Sequence, residues 1–130
     1  MALESLVPNA NVVVAGASGG IGAEFVRQLS ASPRTGRVFA LYRQPPSVAA
    51  QGVESLTCDL GDEESIRAAA AAVAEHGAVD AVIVATGLLH KGSIQPEKSL
   101  ASIDPDAMLE VFRVNTVGPI LLAKHFLPLL

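Results

Sequence analysis

The chain has 130 residues, half of them apolar, and a net charge of −4. This length and composition suit one compact domain and are too small for two. The few lysines and arginines are scattered, which argues against nucleic acid or an anionic membrane as a partner. The single cysteine, Cys58, excludes an internal disulfide and fits a reducing cytoplasm.

Neither end of the chain predicts a membrane segment. Residues 1–8 lack the basic region and the long apolar core of a signal peptide. Residues 120–130 are apolar but too short to span a bilayer, and they include Lys124, His125 and Pro128. We therefore predict a soluble, cytoplasmic protein.

A strand, a glycine-rich turn and a helix follow one another over residues 12–26. Residues 12–15 form an unbroken apolar run, which is typical of a parallel strand buried on both faces. After the turn the apolar residues recur with the spacing of one helix face, until Ser32-Pro33 ends the helix: Ile21, Phe25, Val26 and Leu29. Unpaired N–H groups and the dipole at such a helix start can hold a diphosphate.

The glycine spacing separates the known nucleotide-binding turns. A P-loop would need lysine followed by serine or threonine at the helix start, where this chain has Ile21-Gly22. The usual dinucleotide fingerprint G-x-G-x-x-G also fails, because Ser18 stands at its second glycine position. Gly16, Gly20 and Gly22 instead form G-x-x-x-G-x-G. By itself, such a turn can also be a tight connection that binds nothing.

With this turn, the chain resembles the short-chain dehydrogenase/reductase family. The resemblance implies an α/β fold with a Rossmann-type, doubly wound parallel sheet. It also implies hydride transfer between a nicotinamide cofactor and a carbonyl or alcohol group. The same glycines satisfy G-x-x-G-x-x-G, the spacing of the family's extended, epimerase-like branch, so the turn leaves both branches open. The residues of the turn that the resemblance places at the cofactor are Gly16, Ser18, Gly19, Gly20, Ile21 and Gly22.

A second strand is predicted over residues 37–43. It ends about 20 residues after the last glycine, where the general fold reads the adenosine ribose. An acid there would bind the 2′-hydroxyl of NAD, but this chain has Tyr42 and Arg43. A guanidinium pairs with a 2′-phosphate and stacks on adenine, so we predict NADP rather than NAD as the cofactor. An ordinary solvated arginine at a strand end is the alternative.

A third strand, over residues 53–58, runs into Asp59-Leu60. The resemblance implies that Asp59 contacts the adenine amino group and puts Leu60 in the cofactor site with it. From the residues alone, an Asx turn that leads into the next helix explains Asp59 equally well, and both roles can hold at once. That helix begins with Asp62 as its N-cap. It closes at His76, which has no partner at metal-ligand spacing, and we predict no metal site.

The fourth strand, over residues 79–85, is nearly all apolar, which is typical of a central strand. Family members usually end this strand in Asn-Asn-Ala-Gly beside the adenine ribose, whereas this chain has Val-Ala-Thr-Gly over residues 84–87. Both asparagines are therefore missing. His90 and Lys91 follow in a loop where open α/β sheets commonly bind substrates, although they also suit a plain polar loop. The resemblance places three residues here at the cofactor: Ala85, Thr86 and Gly87.

The last helix is predicted to begin at Asp104-Pro105, after a polar loop over residues 91–102. Within it, Val114-Asn115-Thr116-Val117-Gly118 resembles the family pattern V-N-x-x-G. The resemblance gives Asn115 a supporting catalytic role, in which its carbonyl holds a water linked to the catalytic lysine. Gly118-Pro119 would bend the helix independently. The apolar residues predict a core or interface face, through which family members pair as homo-oligomers: Met108, Leu109, Val111, Phe112 and Val114.

The residues that perform the family's chemistry are absent from this sequence. A catalytic serine and a Tyr-x-x-x-Lys pair would follow a fifth strand, and the only tyrosine here, Tyr42, has Pro46 four positions on. Right-handed crossovers order the strands 3-2-1-4, which leaves the fourth at an open edge. We therefore expect residues 1–130 to be the NAD(P)-binding first half of a longer single-domain enzyme.

Three functions remain open at this stage. The first is an NADP-dependent oxidoreductase that acts on a small-molecule carbonyl or alcohol. The second is a dinucleotide-binding module without catalysis, and the third is an epimerase-like extended enzyme. The compact plan of the chain and the Gly20-Ile21-Gly22 turn disfavour the third. Sequence beyond Leu130 separates the first two, because only the enzyme needs the tyrosine and lysine.

Overall fold

A computed structural model describes residues 4–130 of the chain, so the first three residues of segment 1–8, in which no signal peptide is predicted, lie outside the described residues. Strands and helices alternate along the chain. The strands are β1 (Ala10–Ala15), β2 (Thr35–Tyr42), β3 (Val53–Thr57) and β4 (Ala81–Val84). The α-helices are α1 (Gly20–Ala31), α2 (Glu63–Ala74), α3 (Pro105–Phe112) and α4 (Gly118–Phe126). A π-helical segment (Arg113–Val117) and two 3₁₀ turns (Leu100–Ser102 and Leu127–Leu129) complete the order.

The four strands form one parallel sheet in the order β3-β2-β1-β4, which confirms the predicted topology. β1 lies between β2 and β4, with Val13 in register with Phe39 on one side and Val82 on the other. The side chains of Val12, Val13 and Val14 are fully buried. The unbroken apolar run thus forms the doubly covered strand that its composition indicates.

The sheet separates two apolar cores, because successive side chains of a strand point to opposite faces. Val12 and Val14 pack on the α1 side, with residues such as Val26 and Leu29. Val13 packs on the other side. The residues that meet it there come from β2, α2 and α4: Phe39, Ile66, Val73, Leu122 and Phe126. Helices on both faces make the sheet doubly wound.

β4 departs from the prediction made for the fourth strand. It is shorter than residues 79–85, and within the described residues it pairs only with β1, at the edge of the sheet. Val84 is 42% exposed. The expectation of a central strand is therefore wrong for this part of the chain, whereas the expectation from the crossovers is confirmed. The apolar sequence of this strand thus does not show that it has a neighbour on each side.

The last predicted helix is interrupted at its V-N-x-x-G pattern. α3 and α4 flank the π-helical segment, where the N–H of Gly118 donates to the carbonyl of Arg113, one residue further back than in an α-helix. Pro119 has no N–H, so the carbonyl of Asn115 lacks its usual α-helical donor. Gly118 also packs tightly, since a Cβ there would lie 2.8 Å from Cβ of Leu60.

The broad apolar face of this segment is not core in the structure. Leu109 is 65% exposed, Phe112 54% and Ile120 63%. Met108, Val111 and Val114 are half-buried. The exposure of Leu109 and Phe112 does not agree with the predicted core role, and the interface role stays a prediction.

Both predicted helix caps are present. Asp62 accepts a hydrogen bond from the N–H of Glu64 at 3.0 Å, and Asp104 accepts from the N–H groups of Asp106 and Ala107. These local bonds satisfy donors that a helix start leaves free.

Among residues 4–130, no helix is long and apolar enough to cross a bilayer, and no group of three His, Cys, Asp or Glu could hold a metal ion.

Glu63 at the start of α2 ties that helix to α4. Its Oε1 accepts from Lys124 Nζ at 2.6 Å and lies 3.0 Å from His125 Nε2. The hydrogen bond from Lys124, followed by that from His125, lowers the pKa of Glu63 below its ordinary value of 4.5. A carboxylate whose pKa is lowered by folding stabilises the folded state above its ordinary pKa and loses that contribution as acid protonates it.

We therefore predict that Glu63→Gln lowers the midpoint of thermal unfolding at neutral pH. The difference from the unmodified protein should shrink below pH 4.5, as Glu63 is protonated through its lowered pKa. Thermal unfolding of both proteins, monitored by circular dichroism from neutral pH to below pH 4.5, measures this difference in midpoint. Glu75→Gln, an exposed carboxylate at the end of the same helix, is the control. A constant difference at all pH values would contradict the prediction.

Candidate functional site

A cleft of about 350 Å³ opens at the carboxyl ends of the four strands. Parallel strands end at one edge of a sheet, so the segments that follow them converge there. Several residues predicted at the cofactor line this cleft: Gly16, Ser18, Gly19, Arg43, Asp59, Leu60, Ala85, Thr86 and Gly87. His90, Lys91 and Val114 line it as well. Gly20, Ile21, Gly22, Tyr42 and Asn115 are not among its lining residues.

Two glycines of the turn are required by the protein's own packing. Gly16 has a positive φ of 80°, and a Cβ there would lie 2.7 Å from the carbonyl oxygen of Ala85. A Cβ on Gly22 would collide with the carbonyl oxygen of Gly16. Gly19 and Gly20 differ, since a Cβ would meet only one atom at 3.6 Å at Gly19 and nothing within 4 Å at Gly20. Their missing side chains leave an open surface above the turn.

The start of α1 presents free hydrogen-bond donors. Within the described chain, the amides of Gly20, Ile21 and Gly22 have no hydrogen-bond partner. The N-cap residue, Gly19, has no side chain to cap them, and the first turn carries no acid. Uncapped amides and the positive end of the helix dipole together form a site that attracts an anion such as a phosphate group.

β2 brings Arg43 to the cleft and takes Tyr42 away from it. Arg43 stands just past the end of the strand, exposed, and makes no ion pair or side-chain hydrogen bond with any described residue. Tyr42 packs against the core on the α1 side, whereas Leu41 lines the cleft. Alternation along the strand therefore separates the two residues that the sequence singled out together.

Asp59 makes the predicted Asx turn while also lining the cleft. Its Oδ1 accepts a hydrogen bond from the N–H of Gly61 at 2.9 Å, and its own N–H donates to Ser65 Oγ at 2.9 Å. Next to it, Leu60 is buried. Burial, and then the charge of Asp59, raises the pKa of the Cys58 thiol to about 11. Cys58 is thus a protonated, unreactive part of the wall.

Asn115 acts on the cleft through the loop after β4. Its side-chain Oδ1 accepts from the N–H of Leu88 at 2.7 Å, and its Nδ2 donates to the carbonyl of Leu88 at 2.8 Å. The sequence pattern drew attention to the backbone carbonyl of Asn115 and missed this side-chain anchor. The two residues are 27 positions apart, and no local sequence signal links them.

A tight turn orders the loop that carries His90 and Lys91. Lys91 and Ile94 exchange two backbone hydrogen bonds of 2.9 Å, and Gly92 between them has a positive φ of 58°. This segment was predicted as a plain polar loop. Its turn sets Lys91 at the cleft, which Arg43 also lines. Among the described lining residues the cleft has two permanently cationic side chains and one carboxylate, Asp59.

These features together suit a ligand with several phosphates. Free amides at the start of α1, an open glycine surface and an unpaired arginine all favour negative charge. None of the described lining residues is a tyrosine, so the cleft holds no tyrosine–lysine pair for proton transfer. The arrangement can bind and orient a dinucleotide, and the residues of this chain fit such a group.

The parallel order β3-β2-β1-β4 and the glycine turn between β1 and α1 define a Rossmann-type α/β protein. The family model described as short chain dehydrogenase matches residues 10–130. The chain therefore belongs to the short-chain dehydrogenase family.

Individual relatives support this membership. The chain is 30% identical over 132 residues to 17-beta-hydroxysteroid dehydrogenase type 1 of Homo sapiens, covering 90% of this chain and 38% of that protein. It is 28% identical over 128 residues to human short-chain dehydrogenase/reductase 3, covering 91% of this chain and 40% of that protein. The NADPH-bound carbonyl reductase from chicken fatty liver superposes with a TM-score of 0.80 at 29% identity, covering 95% of this chain and 49% of that one. The chain thus spans half or less of the length of these relatives.

We predict that Asn115→Ala loosens the loop after β4. Loss of both hydrogen bonds to Leu88 should lower the free energy of unfolding by about 1 to 3 kcal/mol. It should also speed hydrogen exchange at the Leu88 amide. Asn115→Asp keeps the acceptor but, at neutral pH, sets a carboxylate oxygen against the carbonyl oxygen of Leu88, so it should not recover the stability lost in Asn115→Ala. Thr116→Ala, at an exposed neighbouring position, is the control. Unchanged exchange at Leu88 in Asn115→Ala would contradict the role of the anchor.

Proposed function

We propose that this chain is the NADP-binding part of a short-chain dehydrogenase/reductase that transfers a hydride between nicotinamide and a small-molecule carbonyl or alcohol. One observation carries the proposal: the uncapped start of α1 directly follows the cleft-lining residues Ser18 and Gly19, at the same end of the sheet as the unpaired guanidinium of Arg43. NADP, when bound, supplies or accepts the hydride. The residues of this chain bind and orient it.

Each part of the cleft and of the adjoining start of α1 has a proposed task. The free amides of Gly20, Ile21 and Gly22, with Ser18 and Gly19 beside them, hold the diphosphate. Arg43 pairs with the 2′-phosphate. The remaining carboxylate oxygen of Asp59 contacts the adenine amino group, since its Oδ1 already accepts from Gly61. The lining residues proposed to face the sugar and adenine are Gly16, Leu60, Ala85, Thr86 and Gly87.

Asn115 is proposed as a positioning residue. Its side chain fixes Leu88 and hence the loop that bears His90 and Lys91. We also propose that its backbone carbonyl, which receives no hydrogen bond from Pro119 because proline has no N–H, accepts one from a water molecule. Residues 4–130 contain no Tyr-x-x-x-Lys pair that would move a proton to the substrate oxygen. The proposal therefore gives this chain binding and positioning only.

The alternative is a dinucleotide-binding module without catalysis. It is supported by the lack of a tyrosine–lysine pair among the described residues of the cleft. The two functions agree on cofactor binding and differ only in turnover.

We further propose that the protein works in the cytoplasm, where its buried thiol stays reduced. We also propose that it pairs with a second copy through exposed apolar side chains of α3 and α4: Leu109, Phe112 and Ile120.

The assignment of Arg43 gives a direct test. Arg43→Asp removes the cation that recognises the 2′-phosphate and adds a repelling charge, so the ratio of NADPH to NADH affinity should fall by about tenfold or more. Titration of both dinucleotides by calorimetry or by nicotinamide fluorescence measures the ratio. Lys98→Asp makes the same change of charge at an exposed position outside the cleft and should leave the ratio unchanged.

Two outcomes would count against the proposal in different ways. An unchanged affinity ratio in Arg43→Asp would show that Arg43 does not read the 2′-phosphate. Failure of the unmodified protein to bind either dinucleotide would overturn the proposed function as a whole.

A further inference from the structure

The hydroxyl of Thr86 is a buried polar group without a partner. Its Oγ1 is closed to solvent and makes no hydrogen bond with any described residue. Buried hydroxyls are nearly always paired, because an unpaired one has given up its bonds to water. Its neighbours Val84, Ala85 and Gly87 have no polar side-chain atoms. Thr86 therefore carries the only side-chain hydroxyl at this end of β4, and the described fold makes no use of it.

The position of Thr86 connects this hydroxyl with the glycine turn. Thr86 lines the cleft, and a Cβ placed on Gly16 would lie 2.9 Å from Cγ2 of Thr86. The methyl group of the threonine is thus the part that faces the turn, while the hydroxyl is turned inward. One staggered step about χ1, of about 120°, brings the hydroxyl to the place of the methyl group.

We infer that the Thr86 hydroxyl hydrogen-bonds a ribose or diphosphate oxygen of the bound dinucleotide after this rotation. The inference rests on the proposed function, because it requires that a dinucleotide binds. It gives the chain a side-chain contact at the end of β4, where positions 84 and 85 offer none. On this inference, a hydroxyl that has no partner among the described residues gains one when the ligand binds.

Thr86→Val tests the inference, because it keeps the branched shape and removes the hydroxyl. Affinity for NADPH, titrated by calorimetry, should fall about two- to tenfold, as expected for one hydrogen bond. The midpoint of thermal unfolding without ligand should stay the same or rise, since the variant buries no unpaired oxygen. Thr86→Ser restores a hydroxyl and should recover the affinity for NADPH.

Thr35→Val is a matched control. Thr35 also has a buried Oγ1 without a partner among the described residues, but it lies at the start of β2, at the opposite end of the strands. Its valine variant should leave the affinity for NADPH unchanged.

Several outcomes would overturn the inference. One is that Thr86→Val binds NADPH as tightly as the unmodified protein. Another is that Thr86→Val lowers affinity and thermal stability together and Thr86→Ser recovers neither, because the loss would then not come from the hydroxyl. If Thr35→Val weakened binding as much, the effect would not be local to the cleft. Failure of the unmodified protein to bind NADPH would instead refute the proposed function.

Discussion

The close approach of Gly22 to the carbonyl of Gly16 is the constraint on which the cleft depends. No side chain fits between the first turn of α1 and the turn that leaves β1, so the helix begins directly at the end of the strand. Gly16 reverses the chain with a positive φ, and it is packed against Ala85 at the end of β4. The helix start, β1 and β4 are thereby held together, and the free amides of α1 stand over the edge where the strands end.

Charge is distributed so that this edge keeps its cations available. Arg27, Arg37 and Arg67 are each paired with a glutamate, in every case on or near the element that carries them. Arg43 has no such partner among the described residues. A protein with a net charge of −4 thus presents a cleft whose permanent charges are mostly positive. Such local reversal of charge attracts an anionic ligand from solution.

The sequence predicted the features that depend on neighbouring residues. Strand order follows from crossover handedness, the caps at Asp62 and Asp104 from local chemistry, and the start of α1 from the glycines. Contacts between residues that are distant in the chain, such as Asn115 and Leu88, could not be predicted from the sequence. The side of the sheet on which the Tyr42 side chain lies could not be predicted for another reason. A strand that is apolar on both faces has no alternating pattern, so its sequence does not tell which side chains point toward which helix.

The anchor at Leu88 has an evolutionary consequence. Both hydrogen bonds from Asn115 go to backbone atoms, so they do not depend on which side chain stands at position 88. The turn between Lys91 and Ile94 is likewise closed by backbone bonds and requires only a glycine at position 92. Mutations can therefore change the side chains at positions 88 to 91 while the loop keeps its path. The wall of the cleft next to the cofactor cradle is free to diversify without loss of the scaffold that holds it.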